Sequence, residues 1–218
     1  PPGGRPLTDD QNDTGGGEGT GAFTQTGGTN TVTNNLLLGV NTGSSGTYTQ
    51  SGGTNTIRNN LHLGVNSGSN GSYSLQGGTL EADNIVKGAG TSSFTFDSGT
   101  LRLTNSDLTI GADGVLGNDL ILGAGKNLDV SGDILNGGNS TLNIDGGTLS
   151  IGGNIDVDTF GVGDGSGISA SHTLTTGRSL SANDEYIGNS GTGVFTQSGG
   201  TNTVTNDLHL GVNPGSSG

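Results

Sequence analysis

Apolar residues in this chain come in short runs such as LLLGV, LHLGV and LTIG, each bounded by Gly, Asn, Ser or Thr. Inside and around these runs, like positions recur every second residue. That is the period of a strand, and helix start and stop signals are missing throughout. The runs also recur at a fixed interval. Taking the second glycine of GGT or its equivalent as a marker gives Gly28, Gly53, Gly78, Gly99, Gly125, Gly147, Gly177 and Gly200, spaced on average about 25 residues apart. Intervals of this size signal solenoids and arrays. The two ends show the period most directly: Gly19 to Gly46 and Gly191 to Gly218 differ at 5 of 28 positions.

Aligned on the marker, the copies form columns. Five residues before it lie Phe23, Tyr48, Tyr73, Phe94, Leu120, Leu142, His172 and Phe195. Four after it lie Val32, Ile57, Ala82, Leu103, Asp129, Ile151, Ser181 and Val204. A third segment opens on Asn35, Asn60, Asn84, Asp107, Asp133, Asn154, Asp184 and Asp207, each followed by a largely apolar column. Every copy therefore supplies three short strands with turns between them. The expected fold is all-β, a parallel β-helix or β-solenoid of about eight three-strand rungs stacked about 4.8 Å apart. A meander or β-sandwich would not force like residues into columns at one period.

Stacking predicts ladders. Phe23, Tyr48, Tyr73, Phe94 and Phe195 are expected to stack as aromatics. Asn35, Asn60, Asn84 and Asn154 are expected to form an amide ladder, each side chain donating to the next. Lys87, Asn136 and Glu185 fall in core columns where a lone charge or amide is costly, so bulges are expected to turn them outward. Residues 23–218 read as one repeat domain, continuing into further rungs or a stacked subunit. Residues 1–22 read as a linker, a cap or a remnant rung, because Gly4, Arg5, Leu7 and Thr8 echo Gly177, Arg178, Leu180 and Ser181.

Composition would mislead without this pattern. With 27% hydrophobic residues, 47 Gly and a net charge of −13, the chain looks too polar to offset its conformational entropy. A solenoid needs only one inward row per strand, so this content suffices. Six Lys and Arg against 19 Asp and Glu, with no basic cluster, exclude nucleic acid and an anionic membrane surface as expected partners. No apolar run approaches the roughly 18 residues of a membrane-spanning helix. PPGGRPLTDD has no signal-peptide features, as a chain whose leader had been removed would also show. Without cysteine there are no disulfides or thiolate metal sites.

The runs GGTNTVTNNLLLG, GGTNTIRNNLHLG, GGTLEADNIVKG, SGTLRLTNSDLTIG and GGTLSIGGNIDV resemble the Gly, Thr and Asn rich repeats of autotransporter passenger regions and related secreted bacterial exoproteins. The resemblance covers about residues 23–218. It implies a right-handed parallel β-helix, bacterial origin and a secreted or cell-surface location, and it carries no catalytic residues to transfer. The chain departs from the family in having no membrane-barrel segment, sorting tail or export signal within these residues.

Candidate chemistry is sparse. Arg58, Arg102 and Lys126 fall on different rungs and columns, and no carboxylate pair is singled out by spacing, so no catalytic residue is assigned. His62 and His209 share an outward column that accepts any residue and read as solvated; His172 reads as a packed, neutral imidazole. Calcium is the one cofactor with a candidate site: Asp156, Asp158 and Asp164 in DVDTFGVGDGSG, a Gly-rich stretch read as a loop in the longest interval between ladder positions. The outward pairs Thr29 and Thr31, Thr54 and Thr56, and Thr201 and Thr203 suit an ice-binding face, but the charged residues between them break it. The expected function is a non-catalytic extracellular structural or adhesive module of a bacterial fibre, adhesin or matrix. Its expected partners are itself, by end-to-end stacking or within a longer chain, and surface glycans. The alternative is a glycan-binding or polysaccharide-degrading β-helix.

Overall fold

The computed structural model describes residues 12–14 and 19–218; the cap or remnant-rung reading of residues 1–22 falls mostly outside them. The described residues form twenty strands and no helix. The paired strands between consecutive turns are parallel throughout, which makes the fold a parallel β-solenoid, with about eight turns of roughly 24 residues in all. The chain divides into two compact units, residues 1–106 and 107–218.

In the first unit the expected columns are the pairing register. Phe23 lies beside Tyr48, Tyr48 beside Tyr73, and Tyr73 beside Phe94. Val32, Ile57, Ala82 and Leu103 form a second row, and Leu36, Leu61 and Ile85 a third. Alternation along Ser45–Leu63 buries Tyr48, Gln50, Asn55, Ile57, Leu61 and Leu63 and leaves the residues between them facing out. The aromatic stack has centroid spacings of 4.7, 4.8 and 5.6 Å, each pair contributing about 0.5–1.5 kcal/mol beyond its burial. At the corner before the second row, Gly53 has φ 76°, and a β-carbon there would overlap the Gly28 carbonyl one turn earlier. Only glycine fits both demands. In the sixth copy the left-handed residue is Gly146 (φ 93°), one position before the expected marker.

Polar residues are built into this core. The Tyr48 hydroxyl donates to Gln25 Oε1 (2.7 Å), and Asn30 Nδ2 donates to Asn55 Oδ1 (3.0 Å) and, more weakly, to the same hydroxyl (3.4 Å). One turn on, the Tyr73 hydroxyl donates to Gln50 Oε1 (2.5 Å) and accepts from Asn55 Nδ2 (3.0 Å). Each glutamine amide then donates to backbone carbonyls: Gln25 to Thr54 (3.0 Å), Gln50 to Thr79 (2.9 Å). Thus Gln and Asn of one turn hold the tyrosine hydroxyl of the next. The third turn has Leu75 and Leu80 in their place, and the ring above it is Phe94, which has no hydroxyl. Burial holds both hydroxyls in the protonated form, with the Tyr48 and Tyr73 pKa values displaced far above the ordinary 10.

The Asn and Asp ladder differs from the expected amide chain. Asn35 Oδ1 accepts from the Asn60 backbone N–H (3.0 Å), Asp107 Oδ1 from that of Asp133 (2.8 Å), Asp133 Oδ1 from that of Asn154 (2.6 Å), and Asn154 Oδ1 from that of Ser179 (2.9 Å). Asn84 Oδ1 instead accepts from its neighbour Ile85 (2.8 Å). A side-chain oxygen caps a backbone donor, so a carboxylate serves as well as an amide. This is why the column accepts Asp.

The second unit departs from the expected register in one place with wide effect. DVDTFGVGDGSG is a loop only in its second part: Ile155–Val162 is a strand, and the turn begins at Gly163. Its first half continues the row of Leu108 and Ile134, while Phe160 and Val162 continue the row of Leu142 and Ile144. One extra side is thereby inserted, and everything after it moves round by one. Leu180 and Ala182 follow Ile155 and Val157; Glu185 and Ile187 follow Phe160 and Val162; Leu208 and Leu210 follow in turn. His172 and Phe195 pair with each other as expected, at 6.0 Å between rings, but the column breaks before them, because Phe160 takes the place after Leu142. Asp129 is likewise outward, and Leu128 and Val130 are the buried residues of their strand.

Of the three core misfits, Lys87 and Asn136 are exposed and Glu185 is fully buried (0% exposed), against the expectation that it turns outward. It sits between Phe160 and Leu208, with Oε2 accepting from Asn202 Nδ2 (3.0 Å) and Oε1 without a donor. Its partner row, not a bulge, fixes its direction.

Two outcomes follow. Tyr73→Phe leaves Gln50 Oε1 and Asn55 Nδ2 buried without the hydroxyl and costs about 1–3 kcal/mol in urea melts. The triple change Tyr73→Phe, Gln50→Leu, Asn55→Leu copies the Leu75, Leu80 and Phe94 set and regains most of that loss. For Glu185, burial raises the carboxyl pKa above its ordinary value, so the folded state holds this proton more tightly than the unfolded one. Its effect favours folding below the ordinary Glu range and is lost as pH rises through the raised value. Glu185→Gln is expected to raise the Tm at pH 7 by about 2–4 °C, with the gain vanishing on acidification.

Candidate functional site

Strand alternation sends three kinds of chemistry to the outer faces. Thr29, Thr54, Thr79 and Thr100 form an outward row. In the neighbouring outward row Thr31 and Thr56 give way to Glu81 and Arg102, which pair across adjacent turns at 3.2 Å. Both are substantially exposed, so the pair contributes at most about 1 kcal/mol. His62 lies outward between Leu37 and Val86, where burial lowers its pKa. His172 is half-buried against Phe160 (5.5 Å) and Phe195, and burial likewise favours its neutral form.

The three aspartates expected to gather around calcium do not form one group. Asp156 is exposed on its strand, beside Ser181. Asp158 is held by donors: Asn136 Nδ2 (3.0 Å) and Asn183 Nδ2 (2.8 Å) reach Oδ1, and the Ser140 N–H (3.0 Å) reaches Oδ2. Asp164 lies with Asn143, whose Nδ2 donates to its Oδ2 (3.0 Å). Alternation alone would put Asp156 and Asp158 on one face; the break in pairing at Asp158, where the strand passes from one side to the next, separates them.

One cluster was not read from the sequence. Asp184, Asp207 and His209 bring a ligand atom each to within 4.8 Å of one another, the only such group of three among the described residues. Asp184 and Asp207 are ladder residues of consecutive turns, and His209 stands two beyond Asp207 on the same face of the strand. Its imidazole stacks on Tyr186 at 4.5 Å and 9°. The signal was present: ladder aspartates occur on consecutive copies next to an outward Tyr and His. The cluster exists only between columns, so no single column displays it. Two carboxylates, an imidazole and a phenol ring on an open face can bind a cation or the hydroxyls of a sugar.

The inserted side also leaves a groove. Thr148–Ile151 is the last strand of its row to be paired within this unit, and Ser169–Leu174 lies near it but, among the described residues, pairs only with Thr192–Gln197. The groove between them, about 650 Å³, is lined by Thr148, Leu149, Ser169, Ser171, His172 and Val194 among others. No sequence family, curated protein or solved structure matches this chain.

The donors around Asp158 lower its carboxyl pKa, the Asn136 amide chiefly and the Ser140 N–H next. Its stabilising effect is present above the ordinary Asp range and is lost as pH falls through the lowered value. Asp158→Ala is expected to be destabilising at pH 7 and nearly neutral in strong acid, as read by thermal melts across pH.

Proposed function

We propose that this chain is a non-catalytic structural and adhesive module of an extracellular bacterial fibre, surface adhesin or matrix. The observation that carries this reading is the direction of its side-chain interactions. The aromatic stack, the Tyr–Gln–Asn contacts and the Asn and Asp caps all run from one turn to the next. Such a ladder repeats the same interaction for as long as turns are added, and its product is rigidity along the stack. The resemblance of the GGTNTVTN and GGTNTIRN runs to autotransporter passenger repeats supports the secreted or surface location. The net charge is −13, and every Asp among residues 19–218 is at least partly exposed, which gives a solvated exterior. In this role the partners are further turns, of the same chain or of a second copy, and surface glycans.

Immunogold labelling of intact source cells and electron micrographs of the purified protein test the reading. Surface label with rods or fibres is the expected outcome; label confined to the cell interior, or detected cleavage of any polysaccharide, would overturn it. The half-buried Tyr186 and His209 stack beside Asp184 and Asp207 favours a second reading, a glycan-binding face. On that reading a glycan array gives hits that Tyr186→Ala removes.

A further inference from the structure

We propose that Asn143, Asp145 and Asp164 form a site for a hard divalent cation, with calcium the best chemical fit. The argument begins with alternation: Leu142 and Ile144 are buried in the core, so Asn143 and Asp145 point out from Thr141–Asp145, two apart on one face. An outward Asn would ordinarily be solvated, yet Asn143 is 8% exposed. The turn after Val162 comes back against this face. Asp164 N and Gly165 N donate to Asp145 Oδ1 (2.8 and 3.4 Å), and Asn143 Nδ2 donates to Asp164 Oδ2 (3.0 Å). Beside Asn143 in the next strand stands Gly161. A β-carbon at 161 would overlap Asn143 Oδ1 and lie 3.6 Å from Asp164 Cβ, so the missing side chain makes the room in which amide and carboxylate meet.

Two acceptors are left over there. Asn143 Oδ1 and Asp164 Oδ1 are both buried and neither has a donor. Rotating the amide does not help, because it would set the carbonyl oxygen against Asp164 Oδ2 in place of the Nδ2 donor. Orphaned buried oxygens cost about 1–3 kcal/mol each, more when charged. A positive ion satisfies both at once. Two carboxylates and a neutral amide match a double charge, and an all-oxygen set selects a hard ion over zinc. The Gly-rich turn GDGSG, 163–167, can add backbone carbonyls without imposing the strict octahedron that magnesium demands. Such an ion would tie the Thr141–Asp145 strand to the turn after the inserted strand, at the point where the solenoid moves round by one side. This inference rests on the fold and is independent of the proposed surface role.

The test uses the full chain. Few charged ligands place the expected Kd in the range of about 10⁻⁴ M. Millimolar calcium added after chelation raises the Tm of the unaltered protein. Terbium bound at the site is sensitised by Tyr186, which pairs directly with Gly161. Asp164→Asn weakens binding at least about tenfold through the lost charge. Asn143→Asp provides the opposite sign: it lowers the Tm in chelator, where three carboxylates repel, and calcium restores it. The proposal falls if calcium leaves the Tm unchanged and terbium gives no luminescence, or if the site holds an ordered water only. It also falls if Asp207→Asn, and not Asp164→Asn, removes binding, since that assigns the ion to the Asp184, Asp207 and His209 cluster.

Discussion

Parallel pairing of one turn on the next is the constraint from which the rest of this structure follows. In a parallel stack each inward side chain has a neighbour directly before and after it, at the strand spacing of about 4.8 Å. A residue is therefore judged by what its row supplies. Tyr48 and Tyr73 show this, with rings 4.8 Å apart and 6° from parallel, fully buried despite carrying hydroxyls. The same constraint makes the low hydrophobic content workable. Polar residues enter the core where the adjoining turn supplies their partners, as with Gln50 and Asn55, both 0% exposed.

The interior accordingly follows a pairing rule between turns. Gln and Asn at one level accompany Tyr at the next, whereas Leu75 and Leu80 accompany Phe94. Mixed sets carry a penalty, because a buried amide without its hydroxyl partner loses more than the hydrogen bond contributes. Asn202 shows the rule being adapted: its amide serves the Glu185 carboxylate of the previous turn, leaving Asn202 Oδ1 and Glu185 Oε1 unpartnered. The buried acid and its raised pKa belong to the second unit, where the repeat is also least regular.

Much of the first unit was legible in the sequence because the period, the alternation and the marker glycines agree there. Its aromatic and aliphatic rows are the expected columns, position for position. Two features were hidden for physical reasons. Asn30 and Asn55 lie between the outward threonines of TNT and so point inward, but amides are seldom sought in a core. The Asn and Asp column was legible as a ladder and misread in its chemistry: a carboxylate cannot donate along an amide chain, and the Asp members already implied a backbone donor. In the second unit, TFGV between DVD and GDGSG was hidden by its flanks. Two apolar side chains and a glycine are a weak strand signal, and only the vacant place beside Leu142 and Ile144 makes them one. The candidate sites were less legible than the fold, since both oxygen clusters bring together residues from different columns.

That short strand separates what is local in this sequence from what is relational. FTQSGGTNTVTN, from Phe195, keeps the local features of its counterpart at Phe23. Gln197 Nε2 donates to the Gly200 carbonyl at 3.2 Å, as Gln25 does to Gly28 at 3.3 Å and Gln50 to Gly53 at 3.2 Å. Asn213 O accepts from Ser216 Oγ at 2.7 Å, as Asn66 O does from Ser69 Oγ at 2.6 Å. Strand, corner and turn are thus written in the residues themselves. Which row the segment joins is not. His172, and Phe195 with it, is kept off the row of Leu142 because Phe160 already occupies the next place, so a four-residue stretch more than thirty positions upstream decides where a nearly duplicated sequence lies. A parallel stack permits this because each side offers the same strand spacing. The side is chosen by counting strands, and one extra strand changes the count for all that follow.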